Sequence, residues 1–178
     1  MNRYVALLRG INVGGKGIIG MAELKACFEA AGLQDVATYI NSGNILFSSA
    51  QKDQRKLEEL IEANIVKKFG FIPKTVVRSR EQMQAIVANL PKSWATNPDQ
   101  KFNVIFLSHT IDSPSVLDGL NPKAGIETLV YQPGVLYWSA NTSDLTKSSM
   151  LQLYKNKIYQ EATVRNLNTT KKLTELLG

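Results

Sequence analysis

The sequence predicts an α+β fold made of two ferredoxin-like halves. Three observations carry this. Over residues 1–90 the apolar runs and helical stripes follow the order β-α-β-β-α-β. Residues 102–178 echo it as an incomplete β-α-β-β-α repeat that ends on a C-terminal helix. Between them, the stretch PKSWATNPDQK (91–101) is polar, holds two prolines and lacks periodicity, so it reads as a linker. The echo is one of element order, not of residues.

Arg3 to Leu8 is a short apolar run with Tyr4 and Val5, as in a strand buried on both faces. It breaks into a glycine-rich loop: Leu7 to Gly20 reads LLRGINVGGKGIIG, with five glycines in fourteen positions. From Met21 the spacing Leu24, Cys27, Phe28, Ala31 predicts a helix with one buried stripe, stopped by Gly32. Cys27 on that stripe is expected to be core and not a nucleophile. Val36–Ile40 and Ile45–Ser48 flank Asn41-Ser42-Gly43-Asn44, a hairpin in which Gly43 takes the positive φ. Asp53 opens a second helix with Leu57, Leu60, Ile61, Ile65 and Phe69 on one side and Gly70 at its end. Glu58, Glu59 and Glu62 then fall on its polar, solvated face. Lys74 to Arg78 is a further strand.

With strands alternating in direction, the loop after strand one and the hairpin between strands two and three share one end of the sheet. Arg9–Lys16 and Asn41–Asn44 should therefore converge.

Ser79 and Gln82 form a capping box for a helix with stripe Met83, Ile86, Val87, Leu90, ended by Pro91. Phe102–Ser108 is a strand, and Ser113-Pro114 begins a short helix. Ile126–Tyr131 and Val135–Ser139 make a second hairpin across Gln132-Pro133-Gly134. A helix is predicted over about 148–158, and the closing VRNLNTTKKLTELL is read as another.

The chain has 178 residues, 44% hydrophobic and 20% charged, which is ordinary for a globular protein. No run approaches the roughly 18 apolar residues of a membrane span, and the N-terminal apolar run is too short for a secretory core. A single cysteine excludes an intramolecular disulfide. Cytoplasm is the expected location, with no membrane partner. The net charge of +6 is uneven: residues 1–78 hold eleven Lys/Arg against seven Asp/Glu, 79–144 four against six, and 145–178 six against two. Two basic ends suggest a surface facing something acidic, although basic surfaces also serve solubility.

Gly10 to Lys16 fits the spacing G-x-x-x-x-G-K, but Gly17 stands where a nucleotide-bound Mg²⁺ wants Ser or Thr. A looser anion cradle and a purely structural glycine loop both remain as readings. The Asn41–Asn44 tip is a standard turn composition that would also offer neutral donors and acceptors to a ligand. In the closing segment Arg165, Thr169 and Lys172 share a helical face beside Asn166, a solvated surface or an anion site. His109 is the only histidine, so a His-rich metal site is excluded and no catalytic triad is visible. The residues name neither a reaction nor a cofactor. An RNA-recognition module shares the element order, but Tyr4 and Phe47 make too thin an aromatic platform.

LLRGINVGG near the N-terminus, YINSGNILF at the hairpin and TVRNLNTTKKL near the C-terminus together resemble the bacterial domain-of-unknown-function family sixteen-ninety-seven. The resemblance covers essentially the whole chain. It implies an α+β fold related to a pair of ferredoxin-like halves, and no agreed activity. Its motif falls on Arg9, Gly10, Asn12, Gly14, Ser42, Gly43, Asn44, Arg165, Asn166 and Thr169. Leu167 departs from it, since members often carry Trp there, and an aromatic ligand contact is not carried over at that position.

The expectation is a protein that binds a phosphate- or carboxylate-bearing small molecule at one end of its first sheet. Arg9 and Lys16 would supply charge, Asn12 and Asn44 orientation, and glycine N–H groups the cradle. Arg165 and Asn166 would close the site if the last helix packs across from the second half. The alternative is a basic nucleic-acid or protein-interaction module.

Overall fold

The structure, a computed structural model, describes residues 1–12, 18–95, 97–150 and 157–178. It is an α+β protein of two similar halves, each built on a four-stranded antiparallel sheet. The chain divides into two units, Met1–Ala85 with Lys172–Gly178 and Ile86–Lys171.

The first unit runs β1 (Asn2–Leu8), α1 (Met21–Ala30), β2 (Gln34–Tyr39), β3 (Asn44–Ser49), α2 (Gln54–Phe69), β4 (Thr75–Ser79) and the start of α3 (Arg80–Ala88). Its sheet order is β2-β3-β1-β4, so β1 pairs with β3 as the element order requires. Tyr4, Ala6 and Leu8 alternate along β1 onto one face. There they meet Phe28 of α1, Leu57, Ile61 and Ile65 of α2, and Phe47 of β3 in one core. Tyr4 stacks on Phe47 at 5.6 Å, and Phe28 meets Phe47 edge-on at 6.0 Å. Val5, Leu7, Leu46 and Val76, on the opposite face, are just as buried, which is why β1 reads as a continuous apolar run.

The predicted helix ends hold. Asp53 accepts the Arg55 N–H at 3.0 Å, and Gly70 closes α2 at φ 76°. The Ser79–Gln82 box is reciprocal: Gln82 N–H donates to Ser79 Oγ at 3.3 Å, and Ser79 N–H to Gln82 Oε1 at 2.9 Å. Cys27 is buried, and burial pushes its thiol pKa up, as suits a core residue.

The polar face assigned to α2 needs correction. Glu58 is buried and accepts the Val77 N–H at 2.9 Å, while Glu62 accepts the Thr75 N–H at 2.9 Å. β4 is an edge strand, and its outward N–H groups recur every two residues, about 6.6 Å apart. Carboxylates one helical turn apart, about 6 Å, match that spacing. They cap the open edge where a further strand would otherwise pair. Leu60, counted on the apolar stripe, is exposed instead.

In the second unit, β5 (Gln100–Leu107) is followed by β6 (Glu127–Gln132), β7 (Val135–Asn141), α4 (Lys157–Gln160), β8 (Ala162–Asn166) and the start of α5 (Leu167–Leu177). Short 3-10 turns occupy Lys92–Ala95, Pro114–Gly119 and Thr142–Lys147. The predicted helix over about 148–158 falls mainly on residues 151–156, outside the described residues. The order β6-β7-β5-β8 repeats that of the first sheet.

β8 completes the repeat that the sequence left one strand short. Its five residues are too few for a visible alternation, and they pair with β5, some sixty positions away. Arg165 consequently lies on a strand, not on a helical face with Thr169 and Lys172.

The halves also echo in residues. Arg78 of β4 sits opposite Val5, and its Nη1 donates to the Val77 carbonyl at 2.8 Å. Arg165 of β8 sits opposite Val104, and its Nη1 donates to the Val164 carbonyl at 2.8 Å. The following residue caps the next helix in both: Ser79 for α3, and Asn166, whose Oδ1 accepts the Thr169 N–H at 2.8 Å, for α5.

Candidate functional site

Backbone geometry gathers three segments at one end of the first sheet. Leu8 N–H, at the end of β1, donates to the Gly43 carbonyl of the hairpin at 2.8 Å. Arg9 N–H donates to the Lys74 carbonyl, just before β4, at 2.9 Å. The predicted convergence of the loop and the hairpin is therefore present, and Lys74 joins it.

The loop is pinned at its base. Gly10 (φ 78°) and Asn12 (φ 56°) both adopt left-handed conformations, and between them Ile11 turns inward to the core. Asn tolerates that region better than most residues with a Cβ. Its amide then replaces a strand partner: Oδ1 accepts the Ile19 N–H at 2.7 Å, and Nδ2 donates to the Ile19 carbonyl at 3.0 Å. The same Nδ2 reaches the Asn41 carbonyl at 3.3 Å, linking loop to hairpin. With Ile11 and Ile19 both in the core, the chain leaves and returns at fixed points. Gly14 and Lys16 lie outside the described residues.

The hairpin requires its glycine for two reasons. Gly43 has φ 70°, and a Cβ there would stand 2.9 Å from Leu8 Cβ and 3.0 Å from the Leu8 carbonyl oxygen. Asn44 is fully buried, donating from Nδ2 to the Tyr39 carbonyl (3.2 Å) and to Ser42 Oγ (3.0 Å). It shapes the turn rather than facing solvent. Ile40, half-exposed, holds φ 48°, a costly conformation for a β-branched side chain. Strain of this kind concentrates at functional sites.

Cationic side chains frame this end. Arg9 and Lys74 are half-buried, and Lys68 Nζ donates to the Glu23 carbonyl at 2.9 Å. Sequence reasoning missed Lys74 because only the β1–β4 pairing brings it beside Arg9.

The equivalent end of the second sheet uses the same frame with different chemistry. Leu107 N–H donates to the Gly134 carbonyl at 3.0 Å, and Ser108 N–H to the Glu161 carbonyl at 2.9 Å. Ser108 and Glu161 thus stand where the first unit has Arg9 and Lys74. Glu161 Oε2 accepts from Ser108 Oγ at 3.2 Å and from Thr110 Oγ1 at 3.1 Å. Gly134 N–H, a backbone donor of the hairpin, is taken by Asp112 Oδ1 at 2.8 Å. Acidic and internally satisfied, that end is unsuited to an anion.

The other predicted site residues belong to the second unit. Arg165 Nη1 also donates to Thr163 Oγ1 at 2.9 Å, and desolvation lowers the guanidinium pKa to about 10. Asn166 is a helix cap and Thr169 is buried. Glu127 was not singled out from sequence, yet it organises this unit. Oε1 accepts the Lys123 and Ser149 N–H groups, each at 2.9 Å, and Oε2 accepts Trp138 Nε1 and Ser148 Oγ, each at 2.8 Å. Burial alone would raise its pKa, but the donors of Ser149, Lys123 and Trp138 outweigh it and hold the carboxyl at about 2. Among the described residues no group of three or more His, Cys, Asp and Glu side chains could hold a metal ion, and no helix is long and apolar enough to cross a membrane.

The chain belongs to the family described as Protein of unknown function (DUF1697), whose model matches residues 1–137. It is also similar to a solved structure, that of conserved bacterial protein SP0830 from Streptococcus pneumoniae. Identity is 31%, the match covers 99% of both chains, and the TM-score is 0.85. No curated protein matches.

Proposed function

We propose, from the geometry at the end of the first sheet, that this is a cytoplasmic protein binding a small molecule through its phosphate or carboxylate group. Arg9, Lys16 and Lys74 supply the charge. Gly10, Gly14 and Gly43 let the backbone approach the anion and present its N–H groups. Asn12, Ser42 and Asn44 act through the loop and hairpin shapes they hold. The contacts described for Arg165, Asn166 and Thr169 lie within the second unit, so the proposal rests on the first unit alone. One observation supports it most. The same backbone frame occurs in both units, yet only the first puts Arg9 and Lys74 where the second has Ser108 and Glu161.

The test is a thermal-shift screen of nucleotides, phosphorylated metabolites, small carboxylates and a short single-stranded RNA, at low and moderate salt. A ligand at about a hundred times its Kd adds roughly 2.7 kcal/mol to stability. For a chain of this length that raises Tm by about 5–10 °C. A salt-tolerant hit that disappears in folded Arg9→Ala supports the proposal. Silence from every small molecule, with an RNA response that collapses as salt rises, replaces it with a basic nucleic-acid surface, because phosphate contacts release counterions.

A further inference from the structure

The second unit carries a separate cleft of about 240 Å³, lined by residues of the β6–β7 hairpin face and of the segment leading into β5. This face lies opposite the unit's main core: Leu136, Trp138 and Ala140 of β7 point into that core, so Tyr137 and Ser139 point away from it. Ser139 pairs across the ladder with Thr128 of β6, which sets two hydroxyls side by side on the cleft floor. Trp94, from the 3-10 turn, forms a wall. Asn97 and Gln100 add amides near the start of β5, each engaged at one end. Asn97 Oδ1 accepts the Asp99 N–H and Gln100 Nε2 donates to Asn141 Oδ1, each at 3.1 Å, which leaves Asn97 Nδ2 and Gln100 Oε1.

Two features mark this as more than a surface fold. Ser139 is 5% exposed and Trp94 7% exposed, and neither the hydroxyl nor the indole N–H has a hydrogen-bond partner among the described residues. Buried polar groups are satisfied in the great majority of cases, and among the described residues no buried side-chain N or O lacks a partner, so neither group is sealed from solvent, and both residues line the cleft. Tyr137, by contrast, is already committed: its hydroxyl donates to the Ile86 carbonyl at 2.7 Å.

The lining also restricts the ligand. None of its residues carries a formal charge, so a bare phosphate or carboxylate would be desolvated without a counterion. Trp94 is engaged by Phe102 at 4.8 Å and by Tyr137 edge-on at 5.7 Å, which leaves little ring face for stacking a flat heterocycle. What the cleft presents is hydroxyls, amides and one indole N–H, a mixture of donors and acceptors around a small volume. We infer that this cleft binds a small, uncharged polyhydroxylated molecule, a sugar or polyol, independently of the anion site on the first unit.

The test uses the full chain, ¹⁵N-labelled, with its two indole N–H resonances assigned by Trp94→Phe. Neutral monosaccharides, linear polyols and an uncharged nucleoside are titrated separately. The expected result is a saturable shift of the Trp94 resonance with at least one sugar or polyol, while the Trp138 resonance stays put. Ser139→Ala should weaken that binding by about 5-fold, the effect of one ordinary hydrogen bond, with Trp138 again reporting an intact fold. If every sugar and polyol leaves Trp94 unmoved, if only the nucleoside moves it, or if Ser139→Ala binds unchanged, the inference fails.

Discussion

Gly43→Ala probes the candidate site most directly, because two separable penalties meet at that position. The first is conformational: a residue with a Cβ at φ 70° pays roughly 1–2 kcal/mol. The second is steric. The new methyl would sit 2.9 Å from Leu8 Cβ and 3.0 Å from the Leu8 carbonyl oxygen, and 3.4 Å from Ile11 Cβ. None of these is the far end of a flexible side chain. Relief would need the hairpin to retreat from β1, lengthening the 2.8 Å bond from Leu8 N–H to Gly43 O. Overpacking of this kind costs about 1–3 kcal/mol more. Gly10→Ala is the matched control: φ is 78°, but nothing stands within 4 Å of its added Cβ, so only the conformational part applies. Urea unfolding followed by far-UV circular dichroism should place Gly43→Ala about 2–5 kcal/mol below the parent and Gly10→Ala about 1–2 kcal/mol below it. If Gly43→Ala costs no more than Gly10→Ala, the close approach of hairpin to strand is refuted.

Glu127→Gln keeps the shape but turns an acceptor oxygen into a donor facing two donors, so the second unit should lose on the order of 3 kcal/mol, read by urea denaturation with tryptophan fluorescence. In the parent, the Glu127 carboxyl is depressed from 4.5 to about 2, so its stabilisation is complete above about pH 4.5 and is lost as pH falls through 2. An acid titration of Glu127→Gln should lack that loss, and an unchanged acid limb would contradict the assignment. Glu58→Ala uncovers the Val77 N–H at the sheet edge and should cost about 1–3 kcal/mol while promoting self-association, measured by denaturation and light scattering. Asn166→Ala should cost about 1 kcal/mol by removing the α5 cap, whereas Asn166→Asp should hold stability near the parent's.

What the sequence determined by itself is everything that local chemistry dictates. Gly32, Gly43 and Gly70 mark places where the chain needs positive φ, Asp53 and Ser79 supply the first acceptors of their helices, and the Leu24–Cys27–Phe28 spacing puts one helical face inward. Even the meeting of the loop with the hairpin was legible, because strand direction alone sets which ends coincide. Other features depended on pairing across long stretches of chain. β8 is too short to announce its period and exists because β5 accepts it. Glu58 and Glu62 look like solvated acids until β4 presents its unpaired N–H groups at matching intervals. Lys74 has no reason to be noticed until Arg9 bonds to its carbonyl, and Arg78 and Arg165 become equivalent only once both registers are known. The cleft beneath Trp94 joins residues from segments about forty positions apart. Caps and turns act within a few residues and so are written locally, whereas the partner that satisfies a backbone edge or a buried carboxylate is chosen only when the sheet closes.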